Sequence, residues 1–429
     1  MAWDFSTEPE FEKKLEWMRR FVREEIIPLE ALPDLDRATF DRMTAPLKEQ
    51  VKEQGLWAAH LAPELGGGGF GQVKLGLMHE ILGQCRFAPP IFGNQAPDSG
   101  NAELLALGGS PEQKEQWLYP LLRGELRSAF SMTEPGAGAD PTLLRTRAVL
   151  DGDGYVIDGH KWFSSNASHA DFLIVMAVTD ADVPAHRGSS MIIVPTDTPG
   201  VEIVRDIPVM DEHHDQPDLE RGHAEILYRS VRVPCTNLVG NPGDGFKLSQ
   251  QRLGPGRIHH AMRWLGQSRR AFDMLCERAV SRYTHGSTLA DKQMVQDWVA
   301  TSAAEMQAAR LLTLHAAWTM DQVGSSNARN EIAMIKFWGA TVLHDVIDRA
   351  IQVHGSLGFS ADMPLEAMYR SARSARIYDG PDEVHKSTLA RRILRGYTPV
   401  DTPTEHVPTR TAAARKKFAA YLELATANS

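Results

Sequence analysis

The hydrophobic period of this chain changes twice, and that alone divides it into three regions of different architecture. From about residue 8 to 125, apolar side chains recur every three or four positions. Phe11, Leu15, Met18, Val22 and Ile26 carry the pattern with Lys, Arg and Glu between them, and Pro28 is expected to stop that first helix. From about 128 to 238 the pattern becomes short β-branched runs, "GYVIDGHKWFSSN", "DFLIVMAVTD", "SSMIIVPTD", "GVEIVRDIPVM" and "HAEILYRSVRVP", separated by Gly, Pro, Asp and Ser. After "NPGDGF" (241–246) helical spacing returns, through "MRWLGQSRRAFDMLCERAVSRY" and "EIAMIKFWGATVLHDVIDRAIQVHG", to about 396. A helix repeats a face every 3.6 residues and a strand every two, so neither pattern can serve for the other. The expected fold is mainly α with a small β domain: an N-terminal helical domain (1–127), a middle antiparallel β domain (128–240), a C-terminal helical bundle (241–400) and a tail (401–429). The tail begins Pro-rich and is expected to end in one short helix.

With 429 residues the chain exceeds one ordinary core, so two or three domains are expected. Its formal charge of -9, with basic residues interspersed among acids, argues against a nucleic-acid partner. No run of about 18 apolar residues suggests a membrane span, and the start "MAWDFSTEPEFEKK" is too acidic for a signal or transit peptide. A cytoplasmic location is expected. Cys85, Cys235 and Cys276 are scattered and odd in number, which indicates neither a disulfide framework nor a zinc site. "PELGGGGFGQ" (63–72) lacks the GK[ST] ending of a phosphate loop and reads as a bend between helices. In "MDEHHDQPD" (210–218), adjacent His213 and His214 cannot both point at one metal ion without strain, so a solvated loop is expected, and His259 and His260 invite the same restraint.

Four further stretches fall in a fixed order: "AFSMTEPGAGADPT" (129–142), "GHKWFSSNASHADF" (159–172), "LGPGRIHH" with "SRYTHGSTLADKQ", and "QVHGSLGFSADMPLEAMYR" leading into "IYDGPDEVHKSTLARRIL". Together with the three-part layout they resemble the acyl-CoA dehydrogenase family over residues 8 to 396. The resemblance implies a four-helix C-terminal bundle, FAD as cofactor, an acyl-CoA substrate and an electron-transfer flavoprotein as electron acceptor. It also implies a homodimer or homotetramer, because a neighbouring subunit would complete each flavin site. By resemblance, Phe130, Met132 and Thr133 approach the flavin ring while Trp162, Phe163 and Ser164 line its other side. An isoalloxazine needs such flat apolar walls and hydrogen-bonding neighbours. Arg282, His285 and Gln293 would reach a flavin held mainly by the partner, and Gln352, Val353, His354, Gly355 and Ser356 would pass near its adenosine half. Ala139 stands where many members have Ser. "RLGPGRIHH" and "DGPDEVH" further resemble a subgroup whose larger members carry a fused kinase-like domain and handle 4-hydroxyacyl-CoA; no such domain is expected within these 429 residues.

The last motif crowds Asp379, Asp382 and Glu383 around Gly380-Pro381. A turn followed by an acid-rich helix start explains such crowding on its own. The resemblance adds that Asp379, between Tyr378 and Gly380, is the base that takes the α-proton of an acyl-CoA while the β-hydrogen leaves as hydride. Such a base works best where an apolar pocket raises its pKa. Most relatives carry Glu here, one methylene longer. Pro381 and Glu383 replace the customary Thr and Gln, and proline has no N–H to offer a flavin. The alternative base position, on a helix expected to begin near Gly254, holds no carboxylate. Arg257 and Arg391 would lie near the CoA end. The implied reaction is an FAD-dependent oxidation to a trans-2-enoyl-CoA of the fatty-acid β-oxidation type. Alternatives are action on 4-hydroxy- or 4-phosphoacyl-CoA or nitroalkane-type substrates, or a catalytically silent flavin- or CoA-binding partner.

Overall fold

A computed structural model describes residues 5–32, 36–65, 67–210, 222–399 and 411–427. Contacts divide the chain into two units, 1–386 and 387–429.

In the first unit the N-terminal region is helical: α1 (Pro9–Phe21), α2 (Arg37–Glu53), α3 (Gly71–Leu82), α4 (Ala88–Ile91) and α5 (Asp98–Gly108). α6 (Pro111–Gln113) continues through a π turn into α7 (Tyr119–Arg123). Phe11, Leu15, Met18, Val22 and Ile26 are all buried, as their spacing requires. Each such side chain contributes about 1.5–3 kcal/mol by leaving water. Pro28 does not stop the chain's coiling outright. After α1 a π turn (Val22–Ile26) passes into a 3-10 turn (Ile27–Ala31), where a proline near the start loses no needed N–H.

The middle region forms β1 (Ser128–Ser131), β2 (Arg147–Asp151), β3 (Gly154–Ser165), β4 (Phe172–Val178), β5 (Ser189–Pro195), β6 (Val201–Asp206), β7 (His223–Pro234) and β8 (Leu238–Val239). Their order is β6-β7-β3-β2-β4-β5-β8, with β1 beside β4. The sheet is mixed, which corrects the expectation of an antiparallel one: β1 runs parallel to β4, and β2 meets β4 through a parallel bridge. β4 is buried on both faces. Phe172, Ile174 and Met176 join a core with Leu104 and Leu105 of α5, while Leu173, Val175 and Ala177 join a second core with Ile157 and Ile226. That double burial is why the segment reads as a continuous apolar run instead of alternating.

The bundle comprises α8 (Gly245–Ser281), α9 (Gln293–Val323), α10 (Arg329–His354) and the shorter α11 (Leu365–Ser374), which share one core of Ile258, Trp264, Leu275, Leu314, Leu343, Ile347 and Leu365. A small hairpin, β9 (Tyr283–Thr284) and β10 (Ser287–Thr288), joins α8 to α9. α8 starts nine residues before Gly254 and runs unbroken through Pro255, so the helix expected to begin near Gly254 is the interior of a longer one. α12 (Asp382–Leu394) follows the Asp379 turn and ends in the second unit, which otherwise contains α13 (Thr411–Lys417) and α14 (Ala419–Ala427), two short helices where one was expected. Among the described residues no helix is long and apolar enough to cross a membrane.

Candidate active site

β1 and β3 bring the two expected ring-lining segments side by side. The Trp162 N–H donates to Thr133 O at 3.0 Å, the Lys161 ammonium donates to Met132 O at 2.7 Å, and Ser164 Oγ donates to Ser131 Oγ at 3.1 Å. Tyr228 OH also donates to Ser131 Oγ, at 2.9 Å. Beneath this lacing sits a buried ion pair. Lys161, 0% exposed, meets Glu134 Oε1 at 2.9 Å, and Glu134 also accepts the backbone N–H groups of Arg145 and Thr146. Burial lowers the Lys161 pKa to about 8 against the pull of Glu134. Above it Trp162 is half-buried and Phe163 is 42% exposed, the two rings edge to face at 5.2 Å. Phe163 is held at φ +50, an uncommon conformation for a bulky residue. A fixed, uncovered aromatic surface beside a strand end fits a flat ring ligand such as the flavin of FAD.

The second part of the site is the turn after α11. Asp379 has φ +54 and Gly380 φ +95. A Cβ at residue 380 would lie 2.9 Å from His385 Nε2, so glycine is required twice over. The turn is clamped through its carbonyls. Arg257 Nε donates to Asp379 O at 3.1 Å, His385 Nε2 lies 3.1 Å from the same oxygen, and the Lys336 ammonium donates to Ala375 O at 2.6 Å and Gly380 O at 3.3 Å. Lys336 is 0% exposed and stands over the rings of Trp264 and Tyr378 at 5.3 Å each. Burial lowers its pKa to about 8, opposed by Asp379 and Asp382. Trp264 Nε1 donates to Tyr378 OH at 2.9 Å. Asp382 opens α12 as a helix-start acid, yet it is 2% exposed and pairs with Arg376 at 2.7 Å. Glu383 is exposed, as a helix-start acid should be.

Arg252 links the two parts. It lies 4.1 Å over the Phe130 ring and donates to Asn101 Oδ1 at 3.1 Å, and burial lowers its pKa against the pull of Asp379, Glu103 and Asp98. Burial pushes the Glu103 carboxyl up to about 8, although Arg252 opposes this. Folded Glu103 thus keeps a proton that an unfolded Glu releases near pH 4.3, so its contribution to stability is present below that pH and is lost as pH rises through about 8. Glu103→Gln should remove this loss. Its melting temperature should exceed that of the parent by roughly 2 °C or more at pH 8 and by nothing at pH 4.5; an equal difference at both pH values would contradict the assignment.

The other expected residues are distributed over several elements. Arg282 follows α8, His285 lies in the hairpin and Gln293 opens α9, all three exposed. Gln352, Gly355 and Ser356 are exposed at the end of α10, whereas Val353 is buried in the bundle core and His354 is buried with Nδ1 2.8 Å from Ala350 O. Ala139 is exposed, Pro381 half-buried, and Arg391 exposed within the C-terminal unit. His213 and His214 lie outside the described residues. Among the described residues no cluster of His, Cys, Asp and Glu could hold a metal. Sequence reasoning missed Lys336, Arg252, His385 and the Glu134–Lys161 pair. A signal existed for two of them: Lys336 falls on the buried stripe with Ile332, Ile335 and Ala340, and Lys161 on the inward positions of β3 with Tyr155 and Ile157.

Comparison with known proteins identifies the family. The N-terminal, middle and C-terminal domain profiles of acyl-CoA dehydrogenases match residues 8–125, 129–215 and 243–394. The probable acyl-CoA dehydrogenase FadE2 of Mycobacterium tuberculosis is 47% identical over 81% of this chain and 84% of its own length. Acyl-CoA dehydrogenase family member 11 of Rattus norvegicus is 45% identical over 81% of this chain, which spans only 44% of that protein. The butyryl-CoA dehydrogenase structure from Megasphaera elsdenii superposes with a TM-score of 0.78 at 25% identity, covering 92% of this chain and 100% of that one. The chain belongs to the acyl-CoA dehydrogenase family and is an FAD flavoprotein.

Proposed function

We propose that this protein oxidises an acyl-CoA to its trans-2-enoyl form in fatty-acid-type β-oxidation, with Asp379 as the base, electron-transfer flavoprotein as acceptor, and a cytoplasmic homodimer or homotetramer as the working assembly. The observation that carries the reading is the clamped turn. Three cationic or imidazole groups fix the carbonyls of Asp379 and Gly380, so the carboxylate is presented from a rigid backbone. FAD, when bound, accepts the β-hydrogen as hydride. Asp379 removes the α-proton, Arg252 places positive charge between the base and Phe130, and the Trp162–Phe163 wall shields the reacting face from water. The similarity to a protein named butyryl-CoA dehydrogenase supports a thioester of this kind.

A second reading keeps the flavin and substitutes the acyl chain. Asp379 pulls electrostatically on both Arg252 and Arg257, and two guanidinium groups beside a shortened base suit a 4-hydroxy- or 4-phosphoacyl chain better than a plain one. Anaerobic bleaching of the FAD-loaded protein by butanoyl-, octanoyl- and 4-substituted acyl-CoA decides between them, and bleaching by none would reject both in favour of a silent binding partner. The placement of Arg282 and Gln293 on exposed ends of bundle helices supports a flavin site shared between subunits. Arg282→Ala should therefore release FAD on gel filtration and shift the assembly toward smaller species. A full flavin load at unchanged size would contradict the shared site.

A further inference from the structure

Asp379 is tightly held by its backbone and lightly by its side chain. Among the described residues, the side chain that meets its carboxylate is His260, with Nε2 at 3.4 Å from Oδ2. The opposite ring nitrogen, Nδ1, lies 3.0 Å from Arg263 NH2. A guanidinium can only donate, so Nδ1 accepts and the imidazole proton stands on Nε2, the ring nitrogen 3.4 Å from the carboxylate. Arg263 is itself fixed, donating from NH1 to Asn94 O at 3.1 Å. The imidazole lies 5.0 Å from the Tyr378 ring and 6.3 Å from the Trp264 ring, and those two side chains are hydrogen-bonded to each other. Its position and its tautomer are thus both determined from outside the pair.

We infer that His260, oriented by Arg263, is a positioning residue for Asp379: its Nε2–H holds one carboxylate oxygen and leaves the other directed at the substrate. The inference rests on the reading of Asp379 as the base. Its physical need is plain. An Asp rooted in a rigid turn is a methylene shorter than the usual Glu and must be aimed more closely, and a displacement of about 1 Å in a reacting group costs about a hundredfold in rate. Charged and titratable groups also surround the pair: His79 on α3, Arg252 and Arg257 on α8, Arg376 between α11 and the turn, Lys336 on α10, and Asp382 and His385 on α12. Arg257, His385 and Lys336 act on the carbonyls of the turn, so none of them replaces His260 on the carboxylate.

The test uses the FAD-loaded protein and single-turnover bleaching by butanoyl-CoA from pH 5.5 to 9. His260→Phe keeps the ring packing and removes the donor. It should keep its flavin and lose roughly a hundredfold in rate, and the pH of half-maximal rate should move up, since a lost donor favours the protonated carboxyl. His260→Gln, whose amide N–H can reach the same oxygen, should recover at least about a tenth of the rate. A parental rate and pH profile in His260→Phe would overturn the inference, as would a loss without a shift that Gln does not rescue. A readout independent of turnover is the 15N spectrum of histidine-labelled holoprotein, which should show His260 protonated at Nε2 and perturbed by Asp379→Asn. If bleaching survives in Asp379→Asn, the base reading fails, and this spectrum still decides whether the pair exists. A proton on Nδ1, or no response to the Asn substitution, would overturn it.

Discussion

Asp379→Asn should leave fold, assembly and FAD content intact while the rate of substrate-driven flavin bleaching falls by about three orders of magnitude or more. An amide cannot accept the α-proton, and a positioned general base contributes about 10²–10⁴ in rate. The turn itself should survive, because Arg257, His385 and Lys336 bind main-chain carbonyls that the substitution does not alter. Asn is also among the residues that tolerate the left-handed conformation found at position 379. Undiminished bleaching in this variant would return the acidic cluster to a turn and a helix start. Asp379→Glu reports on pocket depth. On a backbone that cannot retreat, the longer arm pushes the carboxylate toward substrate and past His260. A pocket of ordinary depth should keep or gain activity on plain acyl-CoA. One shaped around Asp for a 4-substituted chain should lose it through crowding, and comparing the two substrate types in the Glu variant separates these outcomes.

The largest effect on stability should come from Glu134→Ala. It would leave Lys161, 0% exposed, without its counter-ion and would strand the backbone N–H groups of Arg145 and Thr146. Removing one partner of a buried ion pair costs about 3–5 kcal/mol, because the remaining charge stays desolvated. Met132 O still accepts from Lys161, but a neutral carbonyl does not offset a full charge. The expected result is a β region that melts well below the rest of the chain and releases flavin, seen as a separate early transition in calorimetry and as free-flavin fluorescence. Lys161→Met should cost much less, since Glu134 keeps its two N–H donors. If Glu134→Ala melts like the parent, the ion pair is not what secures the wall. The pair also has an acid limit. Lys161 holds the Glu134 carboxyl below its ordinary value even though burial acts the other way, so this stabilisation is present above the usual Glu range and lost as pH falls below it.

How much of this was legible in the sequence can be judged element by element. The change of hydrophobic period marked where helices give way to strands and return, because burial on one face imposes a local repeat that each segment must display. The buried stripe of the first helix and a turn at Gly380-Pro381 could be read directly, whereas a ring-lining role for the Phe130 and Trp162 segments came only from the family resemblance. Local rules failed where a neighbour was needed. Pro255 reads as a helix boundary, yet α8 passes through it. Proline usually ends a helix by costing one hydrogen bond, a penalty that the core formed by Ile258, Trp264 and Leu265 outweighs. Nor does any sequence period tell that β1 lies parallel to β4, since strand pairing joins residues more than 40 positions apart.

For the site, the sequence by itself determined the inventory: a carboxylate in a glycine turn, aromatic side chains on strand-like segments, and arginines on helices. Only the tertiary structure decided their relations. It placed Lys336 beneath the turn, Glu134 against Lys161, and His260 against Asp379 across 119 positions of chain. The physical reason is that a charge can be kept out of water only by a specific partner at contact distance. The fold supplies that partner from a remote part of the chain, and the pattern around either residue alone does not name it.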